Sequence, residues 1–147
     1  MIAVDTNLLV YAHRRDSQWH EPAQSVMSAV AEGTAPWAIP WPCVHEFLAV
    51  VTRPRIYSPP SSLSEARDQV AAWLESPTLV LLSEGDGYWD TLSAVLQKSR
   101  ADGARVHDAR IAALCIHHRV RELWTADRDF SRFGALATRN PLVKPAR

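Results

Sequence analysis

The sequence predicts an α/β domain built on a mainly parallel central sheet. Short apolar runs rich in strand-forming residues recur at Met1–Val4, Leu79–Leu82 and Glu122–Thr125. Between them lie longer stretches whose apolar residues fall three and four apart, the spacing of one helix face. Strands separated by helices favour parallel pairing, because each parallel connection needs a crossover long enough to hold a helix. The whole chain, residues 1–147, is expected to form one domain. A chain of that size buries about 70% of its unfolded surface, enough to fold without disulfides.

Taken in order, Met1–Val4 is a buried strand that stops at Asp5-Thr6-Asn7, and Leu8–Arg15 follows as a helix with Thr6 or Asn7 as its cap. Glu21–Ala31 sets Ala23, Val26, Met27 and Val30 on one face and ends near Gly33. Trp37–Ile39 is a short strand, and Pro42 suits the first turn of a helix that carries Phe47, Val50 and Val51 together. Arg53 to Ser62 contains Pro54, Pro59 and Pro60 and forms a loop. Ser64 is the expected cap of a helix turning Val70, Trp73 and Leu74 inward; with Arg67 three residues on, no capping box is expected. Leu79–Leu82 is a buried strand. Trp89–Lys98 and Val106–His118 are helices, the first with Leu92, Val95 and Leu96 inward and Trp89 on its apolar face. Glu122–Thr125 is a further strand and Leu136–Asn140 an edge strand.

Several classes of function are disfavoured. The two cysteines, Cys43 and Cys115, form neither a disulfide framework nor a CxxC pair, which fits a reducing compartment. The first residues carry no basic stretch or leader-like apolar segment, and the longest apolar run, Ile111 to Ile116, is six residues. A cytoplasmic protein with no membrane span is therefore expected. The six histidines include no HExxH, and there is neither a GxGxxG nor a P-loop, so zinc and nucleotide cofactors lack support. His107-Asp108 alone does not make an HD phosphohydrolase, whose scaffold is nearly all helical. His117 and His118 read as surface residues at a helix end.

The acids carry more information. Asp5 directly follows the first strand and Asp127 lies two residues beyond Thr125, so both stand where α/β sheets bind ligands. A strand-end Asp also serves as a helix N-cap. Asp108 has Ile111, Ala112 and Cys115 at i+3, i+4 and i+7, which puts it on an apolar stripe. The helix dipole accounts for an Asp in the first turn but not for that direction. Glu46, with Ala49 and Val50 at i+3 and i+4, is either a rim residue or a fourth acid turned inward. Four carboxylates converging without a cation could not all stay ionised. Mg²⁺ or Mn²⁺, hard cations that take carboxylate oxygen, would make such a cluster favourable. Two ions roughly 3.5–4 Å apart can activate a water and stabilise the leaving oxygen of a phosphoryl displacement. Spacing alone leaves open whether the four converge.

Four segments decide the reading: Met1-Ile2-Ala3-Val4-Asp5-Thr6-Asn7, Val44-His45-Glu46-Phe47, Val106-His107-Asp108-Ala109-Arg110-Ile111-Ala112-Ala113 and Trp124-Thr125-Ala126-Asp127-Arg128-Asp129-Phe130. In this order they resemble the signature segments of PIN-domain ribonucleases of the VapC toxin type, over essentially the whole chain. The resemblance implies a three-layer α/β/α sandwich and a Mg²⁺- or Mn²⁺-dependent endoribonuclease with Asp5, Glu46, Asp108 and Asp127 as metal-binding, catalytic acids. It also implies an RNA substrate, a homodimer and a cognate antitoxin, expected to cover apolar surface near Trp19 or Phe47. Around the acids, Thr6, Asn7 and Thr125 are candidates to orient carboxylates or phosphate. Asp129 either meets metal through water or caps the turn into Phe130, the cap being the expectation here. A PIN-like module that binds RNA or protein without cleaving it is the alternative.

Overall fold

The computed structural model describes residues 1–144. Five strands form one sheet in the order β3-β2-β1-β4-β5, every neighbouring pair parallel. They are β1 (Ile2–Val4), β2 (Trp37–Pro40), β3 (Leu79–Leu82), β4 (Glu122–Trp124) and β5 (Thr138–Arg139). The helices are α1 (Thr6–His13), α2 (His20–Glu32), α3 (Trp41–Val51), α4 (Leu63–Leu74), α5 (Tyr88–Ser99) and α6 (Arg105–His117), and a 3₁₀ turn spans Arg128–Arg132. The chain builds outward from β1 through β2 to β3, then crosses back to lay β4 on the other flank of β1. The strand order therefore reverses between β1 and β4, and a crevice opens at the carboxyl ends of strands at such a point.

Burial explains the local patterns. β1 and β2 are buried on both faces, with Ala3, Val4 and Ala38 fully inaccessible, as a central parallel strand requires. Helix α6 buries Ala109, Ile111, Ala112, Ala113, Leu114 and Cys115, so apolar side chains surround much of it instead of forming one stripe. Phe47 is wholly buried, edge-on to Trp73 at 4.8 Å and to His13 at 5.2 Å, and locks α3 to α4 and α1. It is thus part of the core, not surface left for a partner; Trp19 keeps partial exposure. Among the described residues no helix is long and apolar enough to cross a membrane.

Several local expectations change. β3 is an edge strand: only Leu82 is buried and Val80 is 40% exposed. Leu74 and Trp89 face solvent, at 47% and 67% exposure, while Trp73 is buried as expected. Trp89 sits in the first turn of α5. The cap of α4 is Ser62, not Ser64: Ser62 Oγ accepts from the Glu65 amide at 3.0 Å and Glu65 accepts from the Ser62 amide at 3.2 Å. This is a capping box, hidden in the sequence because Ser61, Ser62 and Ser64 compete for one role. The cap of α1 is Asp5, whose carboxylate accepts from the Thr6 amide, where Thr6 or Asn7 was expected.

These assignments predict that Ser62→Ala destabilises the protein by about 1 kcal/mol, lowering Tm by roughly 3 °C, while Ser64→Ala changes Tm little. Thermal melts followed by circular dichroism distinguish the two; equal shifts would return the cap to Ser64.

Candidate functional site at the carboxyl end of the sheet

Asp5 leaves β1 with extended backbone, its amide donating to the Trp124 carbonyl of β4 at 3.0 Å. Its carboxylate is 4% exposed and surrounded by donors. Oδ1 accepts from the Thr6 amide at 2.8 Å and the Cys43 thiol at 3.6 Å. Oδ2 accepts from Thr125 Oγ1 at 2.8 Å and Asn7 Nδ2 at 3.2 Å. Burial pushes the Asp5 pKa up to about 6; the hydrogen bonds from Thr125 and Thr6 oppose that rise and the charge of Glu46 adds to it.

The neighbouring polar residues tie the segments together. Asn7 Oδ1 accepts from the Ala126 amide at 3.1 Å, and Thr125 Oγ1 accepts from the Asp127 amide at 3.0 Å. Helix α1 is thereby joined to the loop after β4, across the strand-order reversal. Thr6 Oγ1 donates to Glu46 Oε2 at 3.0 Å and so orients the acid that α3 supplies. Asp127 Oδ1 accepts from the Asp129 amide at 2.9 Å, so Asp127 caps the 3₁₀ turn, the part expected of Asp129. Asp129 itself is exposed.

Asp108 lies in the first turn of α6 and is half-buried. Desolvation raises its pKa, and the charges of Asp127, Glu46 and Asp129 raise it further, with Arg132 opposing them. Arg110, in the same segment, donates from Nε and Nη2 to Glu84 Oε1 at 3.2 and 3.0 Å, which makes it a strut between α6 and the loop after β3. His118 braces that loop too, bonding the Ser83 carbonyl at 2.7 Å.

Asp5, Glu46, Asp108 and Asp127 line one pocket of about 250 Å³, together with Thr6 and Asn7. Thr125 supports it from behind and Asp129 stays outside its wall. The pocket's polar donors are oxygens, a set that suits a hard divalent cation and offers nothing to a thiophilic one; Cys43 is buried behind Asp5, its thiol pKa raised well above the usual value by desolvation. Among the described residues no three His, Cys, Asp or Glu side chains stand close enough to form a preassembled metal cage. Mutual repulsion keeps carboxylates apart on the walls of such a pocket, and a cation would offset it. Sequence reasoning missed Tyr11 and Tyr57, which also line the pocket. Tyr11 was within reach, one helical turn beyond Asn7; Tyr57 lies in a proline-rich loop with no periodicity to point it anywhere.

Fold and site together define a three-layer α/β/α domain whose ligand edge is lined by acids. The PIN domain family profile matches residues 2–136. The chain is similar to VapC ribonuclease Mb2897 of Mycobacterium bovis, at 33% identity over 97% of this chain and 96% of that protein. Ribonuclease VapC43 of Mycobacterium tuberculosis matches at the same identity and coverage. Among solved structures, VapBC2 from Rickettsia felis, bound to a DNA fragment from its promoter, superposes with a TM-score of 0.68 at 19% identity, covering 95% of this chain and 98% of that one. The chain belongs to the PIN-domain family and, within it, to the VapC ribonucleases.

The two acids at the ends of this arrangement should respond oppositely to neutralisation. In metal-free protein Asp108→Asn relieves like-charge repulsion and should raise Tm. Asp5→Asn replaces an oxygen that receives donors with an amide that opposes them, and should cost about 1–3 kcal/mol. Calorimetric melts in chelator measure both; a Tm gain for Asp5→Asn would mean that relief of charge outweighs the donor cage.

Proposed function

We propose that this protein is an endoribonuclease dependent on Mg²⁺ or Mn²⁺ and the toxin half of a toxin–antitoxin pair. The observation that carries the reading is the convergence of four carboxylates, from four separate segments, on one pocket at the strand-order reversal. The names of its relatives, ribonucleases at 33% identity over nearly the whole length, support RNA as the substrate. Asp5, Glu46, Asp108 and Asp127 are the residues we assign to the metal. When bound, the ion supplies positive charge that lowers the proton affinity of a coordinated water and neutralises the scissile phosphate. Thr125, Asn7 and Thr6 hold Asp5 and Glu46 in their working orientations, so the pocket is organised before substrate arrives. The chain has sixteen Lys and Arg against sixteen Asp and Glu. With four acids committed to metal, the rest of the surface is net basic and suited to a phosphate backbone.

The reading extends to an antitoxin and to a homodimer, both of which the family resemblance implies; the solved VapBC2 assembly on promoter DNA supports the former. A guanidinium or ammonium from the antitoxin would silence the site by pairing with a carboxylate. Because Asp5 is buried and already accepts four donors, that cation is expected at Asp127 and Asp108.

Purified protein should cleave RNA with Mg²⁺ or Mn²⁺, lose activity in excess EDTA, and turn over slowly with Ca²⁺, whose longer and looser coordination suits this chemistry poorly. Asp108→Asn should remove activity by a factor of at least about 100, since it deletes a charged ligand. Cleavage undiminished by EDTA or by Asp108→Asn would overturn the metal assignment. RNA binding by wild-type protein without cleavage would favour a non-catalytic module.

A further inference from the structure

The pocket has an aromatic wall that the carboxylate chemistry does not use. Tyr57 lines it from the loop between α3 and α4, opposite no periodic element that would force it there. That loop is tied down from outside. Arg14 forms a two-pronged ion pair with Asp16, Nε to Oδ1 at 2.9 Å and Nη2 to Oδ2 at 2.6 Å. The same guanidinium donates to the Pro59 carbonyl at 3.0 Å and to Ser61 Oγ at 3.3 Å, and lies 4.3 Å from the centre of the Tyr57 ring. His13 meets the Ser61 hydroxyl at 2.9 Å, while its other ring nitrogen meets Gln69 of α4 at 3.1 Å. Asp16 orients Arg14, and Arg14 holds both the loop backbone and the ring.

An ion pair whose acid is 51% exposed contributes little to stability, so the effect of this arrangement is positional. A half-buried ring, backed by a guanidinium at the wall of a site that would cut a phosphodiester, matches the requirements of a nucleobase. Every base has a π-face, and stacking on an aromatic side chain does not need hydrogen-bond readout. In the same loop Arg53 and Arg55 are exposed, and neither forms an ion pair among the described residues, which leaves two cations for the flanking phosphates. We propose that Tyr57, clamped by Arg14, is the stacking platform for the nucleobase beside the scissile phosphate, and that the loop between α3 and α4 thereby sets nucleotide preference. This inference rests on the ribonuclease reading and deepens it.

The test separates the two. Fluorescein-labelled short random-sequence RNA is titrated into Asp108→Asn protein with Tyr57 intact or replaced, and affinity is read by anisotropy. Tyr57→Ala should weaken binding roughly ten- to hundred-fold. Tyr57→Leu, which keeps bulk without a π-face, should behave like Ala, and Tyr57→Phe should restore most of the loss. In cleavage-competent protein the Tyr57→Ala loss should fall on KM, and mapped RNA ends should lose a preference at a nucleotide flanking the cut. Arg14→Lys, which keeps the charge but not the fork, should relax the same preference. Calorimetric Mn²⁺ affinity of Tyr57→Ala should match wild type, which excludes collapse of the pocket. Unchanged RNA affinity and cleavage pattern in Tyr57→Ala and Tyr57→Leu would overturn the proposal, as would a loss confined to kcat. If wild-type protein cleaves no RNA yet its RNA affinity falls with Tyr57→Ala, the nuclease reading fails and, with it, the placement of the base beside a scissile phosphate, leaving Tyr57 as an RNA-stacking residue only.

Discussion

A carboxylate held almost entirely out of water imposes conditions on everything near it. Asp5 sits at the end of the central strand, and an isolated buried charge there would cost several kcal/mol. Four donors offset that cost, and each comes from a different kind of structural commitment. The Thr6 amide requires α1 to start directly after β1; Asn7 must sit in the first turn of α1; Thr125 must follow β4, which must therefore lie beside β1; Cys43 must pack from α3. The adjacency of β1 and β4, with the reversal in strand order it creates, is thus the geometric condition for keeping Asp5 in place.

The acids accordingly divide into two physical kinds. Asp5 is buried, accepts four hydrogen bonds and is set into the core. Asp108, Glu46 and Asp127 stand closer to solvent; at Asp108 burial raises the pKa most, the charges of Asp127, Glu46 and Asp129 add to the rise, and Arg132 opposes it. A buried carboxylate with more exposed ones on the same pocket wall is a suitable arrangement for admitting a cation. A cation held there would be anchored by the buried Asp5, and its charge would offset the repulsion among the other three acids. Tyr11 and Tyr57, with Val10, Val50, Ile111 and Phe130, give the pocket an apolar and aromatic wall beside its four acids.

Much of this was legible in the sequence, for identifiable reasons. Strand β1 announced itself because it is buried on both faces, and β4 because its short strand-forming run follows a helical stretch; Asp5 and Asp127 became visible as soon as those strand ends were located. Asp108 was legible because an acid on an apolar helical stripe conflicts with ordinary burial. Glu46 was less so, since a rim glutamate on an amphipathic helix has the same pattern, and what distinguishes it is a hydrogen bond from Thr6, forty residues away. Caps were misplaced where candidates crowd together, at Asp5-Thr6-Asn7 and at Ser61-Ser62-Ser64, because a shift of one or two residues in backbone dihedrals leaves no trace in composition. The exposure of Val80 depends on which strand ends up at the sheet edge, a tertiary fact. Tyr57 depends on a clamp between two loops and had no local signal.

Metal-dependent cleavage by this protein requires the four carboxylates to form one cation site. The most direct measurement is anomalous diffraction from crystals of the protein soaked in Mn²⁺. The predicted result is an anomalous peak in the pocket bounded by Asp5, Glu46, Asp108 and Asp127, within coordination distance of Asp5 and absent in crystals of Asp108→Asn. Saturating Mn²⁺ that leaves this pocket without a peak, or that occupies another part of the surface while RNA cleavage is at its maximum, would contradict it.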